Sequence, residues 1–347
     1  MVTSGAALLP RTVLPELDEI ERIVAQAGPL VQCHVACRVT HRGTTLPLYA
    51  ITMGNPDPRC PGIAFVGGIH GIELIGARVV IAFLRSLVAR LPWDPSLQTL
   101  LQQTRILFLP LVNPVGALAR TRANGAGVDL MRNAPVECDA AAPLLLAGHR
   151  IGGWLPWYRG RSGGAMEPES AAVVESVTRE LHGRPLALVL DCHSGFGLRD
   201  RVWFPFAHRR SPIESLAELH ALHEIFVRAH PHHAYVFEPQ SNQYLTHGDL
   251  WDHLVLQAPA GSVFLPLTLE MGSWLWVKKN PRQLFTRQGV FNPLIEHRER
   301  RVLRRHLPLL DFLLRAAAGH EHWLPDPACR AIHRERALVL WYGARRP

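Results

Sequence analysis

The sequence predicts an α/β protein of three layers, α/β/α, with helices on both faces of a mixed, largely parallel central sheet. Two observations predict this class. Short apolar runs, typical of strands buried on both faces, alternate with helical patterns over most of the 347 residues. In addition, 48% of the residues are hydrophobic and 19% are charged, which supplies a large core and excludes disorder as the main state.

Each element follows from a local pattern. An apolar stripe predicts an amphipathic helix over Leu14–Ala27, and Gly28-Pro29 ends it. The further predicted elements are, in chain order, strands Val31–Val39, Pro47–Met53 and Gly62–Ile69, helix Leu74–Leu91, strand Arg105–Val112, helix Pro168–Leu181, strand Leu186–Asp191, helix Ser215–Arg228, strand Val263–Glu270 and a long terminal helix Asn292–Ala318. Residues 134–166 are predicted to be irregular, and without a repeat or linker we expect residues 1–347 to form a single domain.

Three predicted strands end in residues that bind metals or transfer protons. The segments at these strand ends are Gly67-Gly68-Ile69-His70-Gly71-Ile72-Glu73, Asp191-Cys192-His193-Ser194 and Thr268-Leu269-Glu270. In α/β proteins, functional sites lie at the carboxyl ends of sheet strands. Two imidazoles and one carboxylate with an open fourth position form a catalytic zinc set, and a further carboxylate can serve as general base. Each segment also has a structural alternative. His70 and Glu73 could lie in a surface turn, His193 could be structural, and Glu270 could be ion-paired with an Arg at the sheet edge.

These residues resemble the zinc carboxypeptidase family, which includes carboxypeptidase A and the bacterial murein peptide amidases. The resemblance runs from about residue 60 to about residue 275, with the two predicted terminal helices as additions to this core. Its six ordered blocks are His70-x-x-Glu73, Asn113-Pro114-x-Gly116, the segment from Arg122 to Asn133 that contains Gly127-Val128-Asp129, Glu167-Pro168-Glu169, Asp191-x-His193-Ser194 and Thr268-Leu269-Glu270. Each block alone is weak evidence for the family, but six blocks in the same order make the resemblance specific.

The resemblance implies one zinc ion per chain, held by His70, Glu73 and His193. Glu270 would be the catalytic base that takes a proton from water and passes it to the leaving amine. Asp129 would accept a hydrogen bond from the far nitrogen of His70 and thereby select its tautomer. An arginine near the start of the same block assists the oxyanion in this family; Arg122 is favoured, with Arg120 as the rival.

The resemblance also implies how a substrate is held. Arg132 would grip a free carboxylate, a bidentate task suited to guanidinium. Tyr244 lies eight residues before Asp252, as a substrate-capping loop tyrosine of the family does, although an ordinary loop tyrosine is the alternative. By the same count, Trp251 takes the position that often sets side-chain preference, and its apolar bulk argues against a pocket for Lys or Arg.

Two departures from the family pattern concern the substrate end. The family block usually reads Asp-Leu-Asn-Arg-Asn-Phe, but here Met131 replaces the first Asn and Ala134 replaces the Phe. The Asn normally shares the terminal carboxylate with the Arg, and a thioether cannot donate a hydrogen bond. We therefore expect hydrolysis of a peptide or amide bond, with altered recognition of the carboxyl terminus.

Two other functions compete with this interpretation. An N-acyl amino acid deacylase, resembling succinylglutamate desuccinylase and aspartoacylase, would share the His-x-x-Glu…His zinc site, so the expected substrate is a small peptide or an acyl amino acid. A non-catalytic zinc-binding relative is the other alternative, against which the intact Glu270 argues. The net charge of +8 permits nucleic-acid binding, but the arginine-rich run at 297–306 is predicted to be a solvated helix face, so no nucleic-acid partner is expected.

The remaining expectations concern cysteines and location. The six Cys form no disulfide framework, and Cys33-His34-x-x-Cys37 falls inside a predicted strand, which favours buried thiols over a second metal site. The N-terminal residues lack the pattern of a secretory signal, and no window approaches a membrane span. We expect a cytoplasmic protein without a membrane partner, and the oligomeric state stays open.

Overall fold

The chain folds around one mixed sheet of eight strands. The computed structural model describes residues 14–343. The strands are β1 (Gln32–His41), β2 (Thr44–Gly54), β3 (Gly62–Gly67), β4 (Arg105–Leu109), β5 (Leu186–Ser194), β6 (Arg201–Phe204), β7 (Val236–Pro239) and β8 (Val263–Met271). The helices are α1 (Pro15–Ala27), α2 (Leu74–Arg90), α3 (Pro95–Gln103), α4 (Pro114–Ala119), α5 (Pro168–Leu181), α6 (Leu216–Ala229), α7 (Leu250–Gln257), α8 (Trp274–Lys279), α9 (Glu296–Ala318) and α10 (Pro327–Tyr342).

The sheet has a parallel centre and mixed edges. Its order is β1-β2-β4-β3-β5-β8-β6-β7, and the central strands β4, β3, β5 and β8 are mutually parallel. The hairpin β1–β2 joins β4 in antiparallel fashion. On the other side, β6 pairs antiparallel with β8 and parallel with β7. The predicted α/β class with a mixed, largely parallel sheet is confirmed.

Two apolar layers cover the sheet. One buried cluster joins alternate residues of the central strands to helices α1, α2, α6 and α9, whereas the other joins the opposite faces to α5 and α7. Every residue of β3, β4 and β5 is buried, as expected for strands covered on both faces. The predicted three layers therefore arise because each apolar run needs a cover on both sides.

The ends of the chain depart from the predictions. The helix predicted over Asn292–Ala318 begins at Glu296. A further helix, α10, follows it, and only Ala337 and Trp341 of this helix are buried. Strands β6 and β7 are four residues each, too short to give a period-two pattern. The expectation of buried thiols in β1 is wrong, because β1 is an edge strand, where Cys33 is exposed and Cys37 is half-buried.

The arginine-rich helix α9 has the two faces that its sequence predicts. Val302 and Leu310 pack into the core, while Arg300, Arg301 and Arg304 are exposed. Among residues 14–343, no helix combines the length and apolar character that crossing a membrane requires.

Candidate metal centre and active site

Three side chains from two strand ends meet in a buried cluster. His70 and Glu73 lie in the turn between β3 and α2, and His193 lies near the end of β5. The Nδ1 atoms of the two histidines are 3.0 Å apart. Glu73 approaches both, with Oε1 3.0 Å from Nδ1 of His70 and Oε2 3.1 Å from Nδ1 of His193. All three residues are at least 96% buried.

The first turn is held in place by the next strand end. The Asn113 side chain caps α4 by accepting from Gly116 N at 2.7 Å, and its Nδ2 donates to Ile69 O at 3.3 Å. Gly71 packs so closely on α4 that a Cβ atom there would lie 2.0 Å from the Gly116 carbonyl carbon. The Asn-Pro-x-Gly block therefore positions the backbone that carries His70.

The tautomers of both histidines fit a bound cation. Nε2 of His70 faces Asp129 Oδ1 at 3.1 Å, and Nε2 of His193 faces Asp191 Oδ2 at 2.6 Å. Each carboxylate accepts a hydrogen bond from Nε2–H there, so each ring in its neutral form presents the lone pair of Nδ1 to the other. Two lone pairs and a carboxylate within 3.1 Å repel one another unless they share a positive charge. Two nitrogens and one carboxylate suit Zn²⁺, so the residues present fit the metal that the sequence implies.

Asp191 is held by a residue predicted to have another role. The indole Nε1 of Trp251 donates to Asp191 Oδ2 at 2.9 Å, and Trp251 is 2% exposed. It lies in the core layer beneath α7, not on the wall of the cavity. The expectation that Trp251 sets side-chain preference is therefore corrected, because the wide indole reaches back from α7 to the support of His193.

Arg122, not Arg120, reaches the cluster. Arg122 Nε donates to Asp129 Oδ2 at 2.8 Å, and its Nη1 donates to Glu73 Oε1 at 3.0 Å. Burial opposes the charge of Arg122, yet Asp129 and Glu73 outweigh it and raise the pKa of Arg122 above its usual value. Arg120 is exposed in a left-handed conformation at the end of α4. Of the two arginines, only Arg122 is therefore placed to act on a group bound at the cluster, where it is a fixed cation.

Glu270 lies on the strand next to His193. Residues 193 and 270 are direct partners in the β5–β8 ladder, and both side chains face the same cavity. Glu270 Oε1 accepts from Phe196 N at 3.0 Å. Burial and the nearby Glu73 carboxylate raise the pKa of Glu270 to about 8. A cation bound by Glu73 would lower the pKa of Glu270. The protonation of Glu270 therefore depends on whether the cluster holds a cation.

A cavity of about 590 Å³ opens over these groups. Its polar wall carries Glu270, Arg122 and the three cluster residues. Arg132, Ser194, Gly195, Gln240 and Thr268 also line it, and the rest of the wall is largely apolar, formed by Ile72, Met131, Leu146, Pro156, Trp157, Phe196, Trp203, Tyr244, Trp274 and Phe291. The volume and lining are typical of a site for a small organic ligand.

Arg132 presents an unpaired guanidinium to this cavity. The residue is 3% exposed, and no side chain or carbonyl within residues 14–343 accepts a hydrogen bond from its guanidinium. Its backbone is held by close packing, since a Cβ atom on Gly248 would lie 1.8 Å from Arg132 O. Met131 is beside it in the same wall, 4% exposed. A buried, unpartnered cation in a cavity calls for an anionic ligand.

Tyr244 lies on the cavity wall, where its sequence count places it. Its ring packs against Phe196 and Trp203, with centroid distances of 6.0 and 6.3 Å. Burial raises the pKa of Tyr244, so its hydroxyl stays protonated near neutral pH. Sequence reasoning missed Phe196, Trp203 and Trp274, which no spacing rule ties to the motifs. Trp157, with a φ of 67°, comes from the segment predicted to be irregular.

The chain matches the model of a known protein family. Residues 22–263 match the model of the zinc carboxypeptidase family, so the chain belongs to that family. Chicken carboxypeptidase Z is 29% identical over 177 residues, which cover 46% of this chain and 26% of that protein. Mallard carboxypeptidase D is 26% identical over 186 residues, covering 51% of this chain and 11% of that protein. The matched region is about a quarter and a tenth of the length of these two relatives.

Solved structures share the fold. Thrombin-activatable fibrinolysis inhibitor superposes with a TM-score of 0.65 at 18% identity, covering 91% of this chain and 79% of that one. Carboxypeptidase A from Helicoverpa armigera gives a TM-score of 0.64 at 18% identity, with coverages of 86% and 71%. At these identities the likeness concerns the fold alone.

Proposed function

We propose that the chain is a zinc-dependent hydrolase of peptide or amide bonds, a metallocarboxypeptidase or peptide amidase with altered recognition of the substrate's carboxyl end. One observation carries the proposal. The buried cluster of His70, Glu73 and His193 shares a cavity with Glu270 on the adjacent strand and with the guanidinium groups of Arg122 and Arg132. Ligands, base and cationic groups therefore converge on one space of substrate size.

His70, Glu73 and His193 would hold the zinc ion, which would supply Lewis acidity to a scissile carbonyl. Asp129 and Asp191 keep the protons of the two rings on the far nitrogens, so both Nδ1 atoms remain available as ligands. Glu270 would accept the proton of the attacking water and then deliver it to the nitrogen of the leaving amine. Because Phe196 N holds only one oxygen of Glu270, the other is free for this transfer.

The two arginines would act on different negative charges. Arg122 would stabilise the charge that develops on the carbonyl oxygen, while its ion pairs with Asp129 and Glu73 keep the guanidinium in a fixed orientation. Arg132 would pair with a carboxylate at the end of the substrate. Met131 offers no hydrogen bond beside it, so a single residue, not two, would bind that carboxylate.

The aromatic wall suggests the neutral part of the substrate. Phe196, Trp203 and Tyr244 form one ring cluster, and Trp274 extends it at 6.1 Å from Phe196. Such rings favour an apolar or aromatic group next to the scissile bond. The preference that the sequence assigned to Trp251 would therefore come from this cluster.

A substrate panel tests the proposal. Short peptides with a free or an amidated carboxyl terminus, murein tripeptide and acyl amino acids are offered to the full chain, with and without a chelator. We expect chelator-sensitive release of an amine from at least one peptide, and release that is about 10²–10⁴-fold slower by Glu270→Gln. Turnover of acyl amino acids alone would favour the deacylase alternative. Metal binding without turnover of any substrate would favour the non-catalytic alternative.

The single-domain organisation, the cytoplasmic location and the lack of nucleic-acid and membrane partners stay predictions of the sequence.

A further inference from the structure

A second histidine cluster lies between helices α6 and α10. It consists of His220, Glu224 and His333, each of which offers one ligand atom, and these atoms all lie within 4.8 Å of one another. None of the three lines the cavity that holds Glu270. His220 is 5% exposed, and Glu224 and His333 are half-buried.

The helix geometry places the three groups together. His220 and Glu224 are four residues apart on α6 and therefore project from the same face. His333 comes from α10, which packs along α6. The two Nδ1 atoms are 2.9 Å apart. With one ring protonated on Nδ1, the contact is an N–H···N hydrogen bond; with both protons on Nε2, the two lone pairs face each other and can share a cation.

The surroundings are partly apolar and carry positive charge at the rim. The Trp341 ring lies 5.8 Å from the His220 ring, which shields one side of the cluster. Glu224 also pairs with Arg336 at 3.3 Å and with Arg228 at 3.5 Å, both longer than a strong ion pair. These arginines are mostly exposed, so they can move toward solvent when Glu224 takes another partner.

We propose that His220, Glu224 and His333 bind a divalent transition-metal ion of the zinc class, which fastens α10 to α6. Two imidazole nitrogens and one carboxylate are donors that Zn²⁺ accepts, and water completes its tetrahedral shell. The site would be structural, because none of its three residues lines the cavity that holds the proposed base.

Such an ion would matter because α10 buries few of its own side chains. Of its sixteen residues only Ala337 and Trp341 are buried. Its other ties to α6 include the contact of the Trp341 ring with the His223 ring at 5.5 Å and ion pairs of partly exposed arginines, such as Arg330 with the buried Glu218 at 2.6 Å. Ion pairs of exposed arginines contribute little to stability, so a metal bond from His333 would add a strong link between the two helices.

Metal stoichiometry of the full chain tests the proposal. Chelator-treated protein is dialysed against Zn²⁺, and bound zinc per chain is measured by mass spectrometry for the wild type, His333→Gln, Glu224→Gln, His70→Ala and the control His297→Gln, which changes an exposed histidine of α9. We expect two ions in the wild type and the control, and one ion in each of the other three. The proposal is overturned if His333→Gln binds as much zinc as the wild type.

The same variants separate this site from the proposed active site. A chain that loses its only ion in His333→Gln but keeps it in His70→Ala would support the α6–α10 site and contradict the proposed function. The melting temperature gives a second measurement. In the His70→Ala background, Zn²⁺ at 100 times its Kd should raise the melting temperature by roughly 3–5 °C, and the added change His333→Gln should remove that rise. An equal rise with and without His333 would also overturn the proposal.

Discussion

Replacement of Trp251 by Phe should weaken metal binding at the His70–Glu73–His193 cluster although Trp251 touches no ligand of that cluster. Asp191 Oδ2 accepts from two donors, Nε2 of His193 at 2.6 Å and Nε1 of Trp251 at 2.9 Å, and Asp191 Oδ1 has no partner among the described residues. The phenyl ring keeps most of the apolar contact but donates nothing. Asp191 would then be free to turn away from the orientation that fixes His193.

The size of the effect follows from the bond that is lost. A hydrogen bond to a buried charged acceptor contributes about 1.5–3 kcal/mol, and loss of a group that supports a metal ligand typically weakens metal affinity 10–100-fold. Because Asp191 itself remains, we expect the lower end, about a tenfold weaker zinc affinity, which corresponds to about 1.4 kcal/mol. The free energy of unfolding should fall by about 2–3 kcal/mol, since the Trp-to-Phe change also leaves some empty volume.

Zinc affinity is measured by competition with a chromophoric chelator, in a His333→Gln background so that the α6–α10 cluster does not contribute. The matched control is Trp203→Phe, which also removes an indole hydrogen bond to a carboxylate, that of Glu238 at 3.2 Å, without touching Asp191. The control should leave zinc affinity within twofold of the parent. An unchanged or tighter affinity for Trp251→Phe would refute the reasoning that Trp251 orients His193 through Asp191.

Three further predictions concern catalysis, recognition and pH. Glu270→Gln should lower kcat by about 10²–10⁴-fold while bound zinc stays unchanged, and normal turnover would remove Glu270 from the proton transfer. Met131→Asn should raise kcat/KM for peptides with a free carboxyl terminus about 5–10-fold through one added hydrogen bond, with no gain for amidated peptides. Burial lowers the pKa of His306 to about 4 against the opposing effect of Asp200, so the folded state binds fewer protons than the unfolded state between pH 4 and pH 6.5. The free energy of unfolding should therefore fall by roughly 3 kcal/mol as the pH is lowered from 6.5 to 4. Urea unfolding at several pH values should show this decrease, and His306→Gln should reduce it.

The motif-bearing strands could be predicted because their signals are local. The apolar runs that become β3, β5 and β8 are short, bounded by Gly or Pro and followed at once by His70, His193 and Glu270. A parallel sheet brings the carboxyl ends of such strands to one edge, so the identity of the strands already implied a shared site. The expectations for Asp129 and Arg132 came instead from the family resemblance, because both lie within one continuous block of its pattern.

The residues that the sequence misplaced or left open depend on distances that no local pattern encodes. Trp251 was assigned by counting along a loop, but the turn into α7 directs its side chain to Asp191, 60 residues earlier in the chain. The choice between Arg120 and Arg122 rested on a single turn, in which Arg120 ends α4 and Arg122 faces Glu73. Arg120 and Arg122 are only two residues apart, but the backbone between them is irregular, so their side chains point in different directions.

The sequence by itself determined the class of fold and predicted the candidate metal-ligand types and the candidate base, because those follow from strand patterns and from short motifs at strand ends. Only the tertiary structure decided what surrounds them. Packing of separate segments formed the aromatic wall around Tyr244, the unpaired position of Arg132, and the contact of His220 with His333, which are 113 residues apart. The physical reason is that a cavity is made of surfaces from several elements, and their mutual placement is set by the whole core and not by any one stretch of chain.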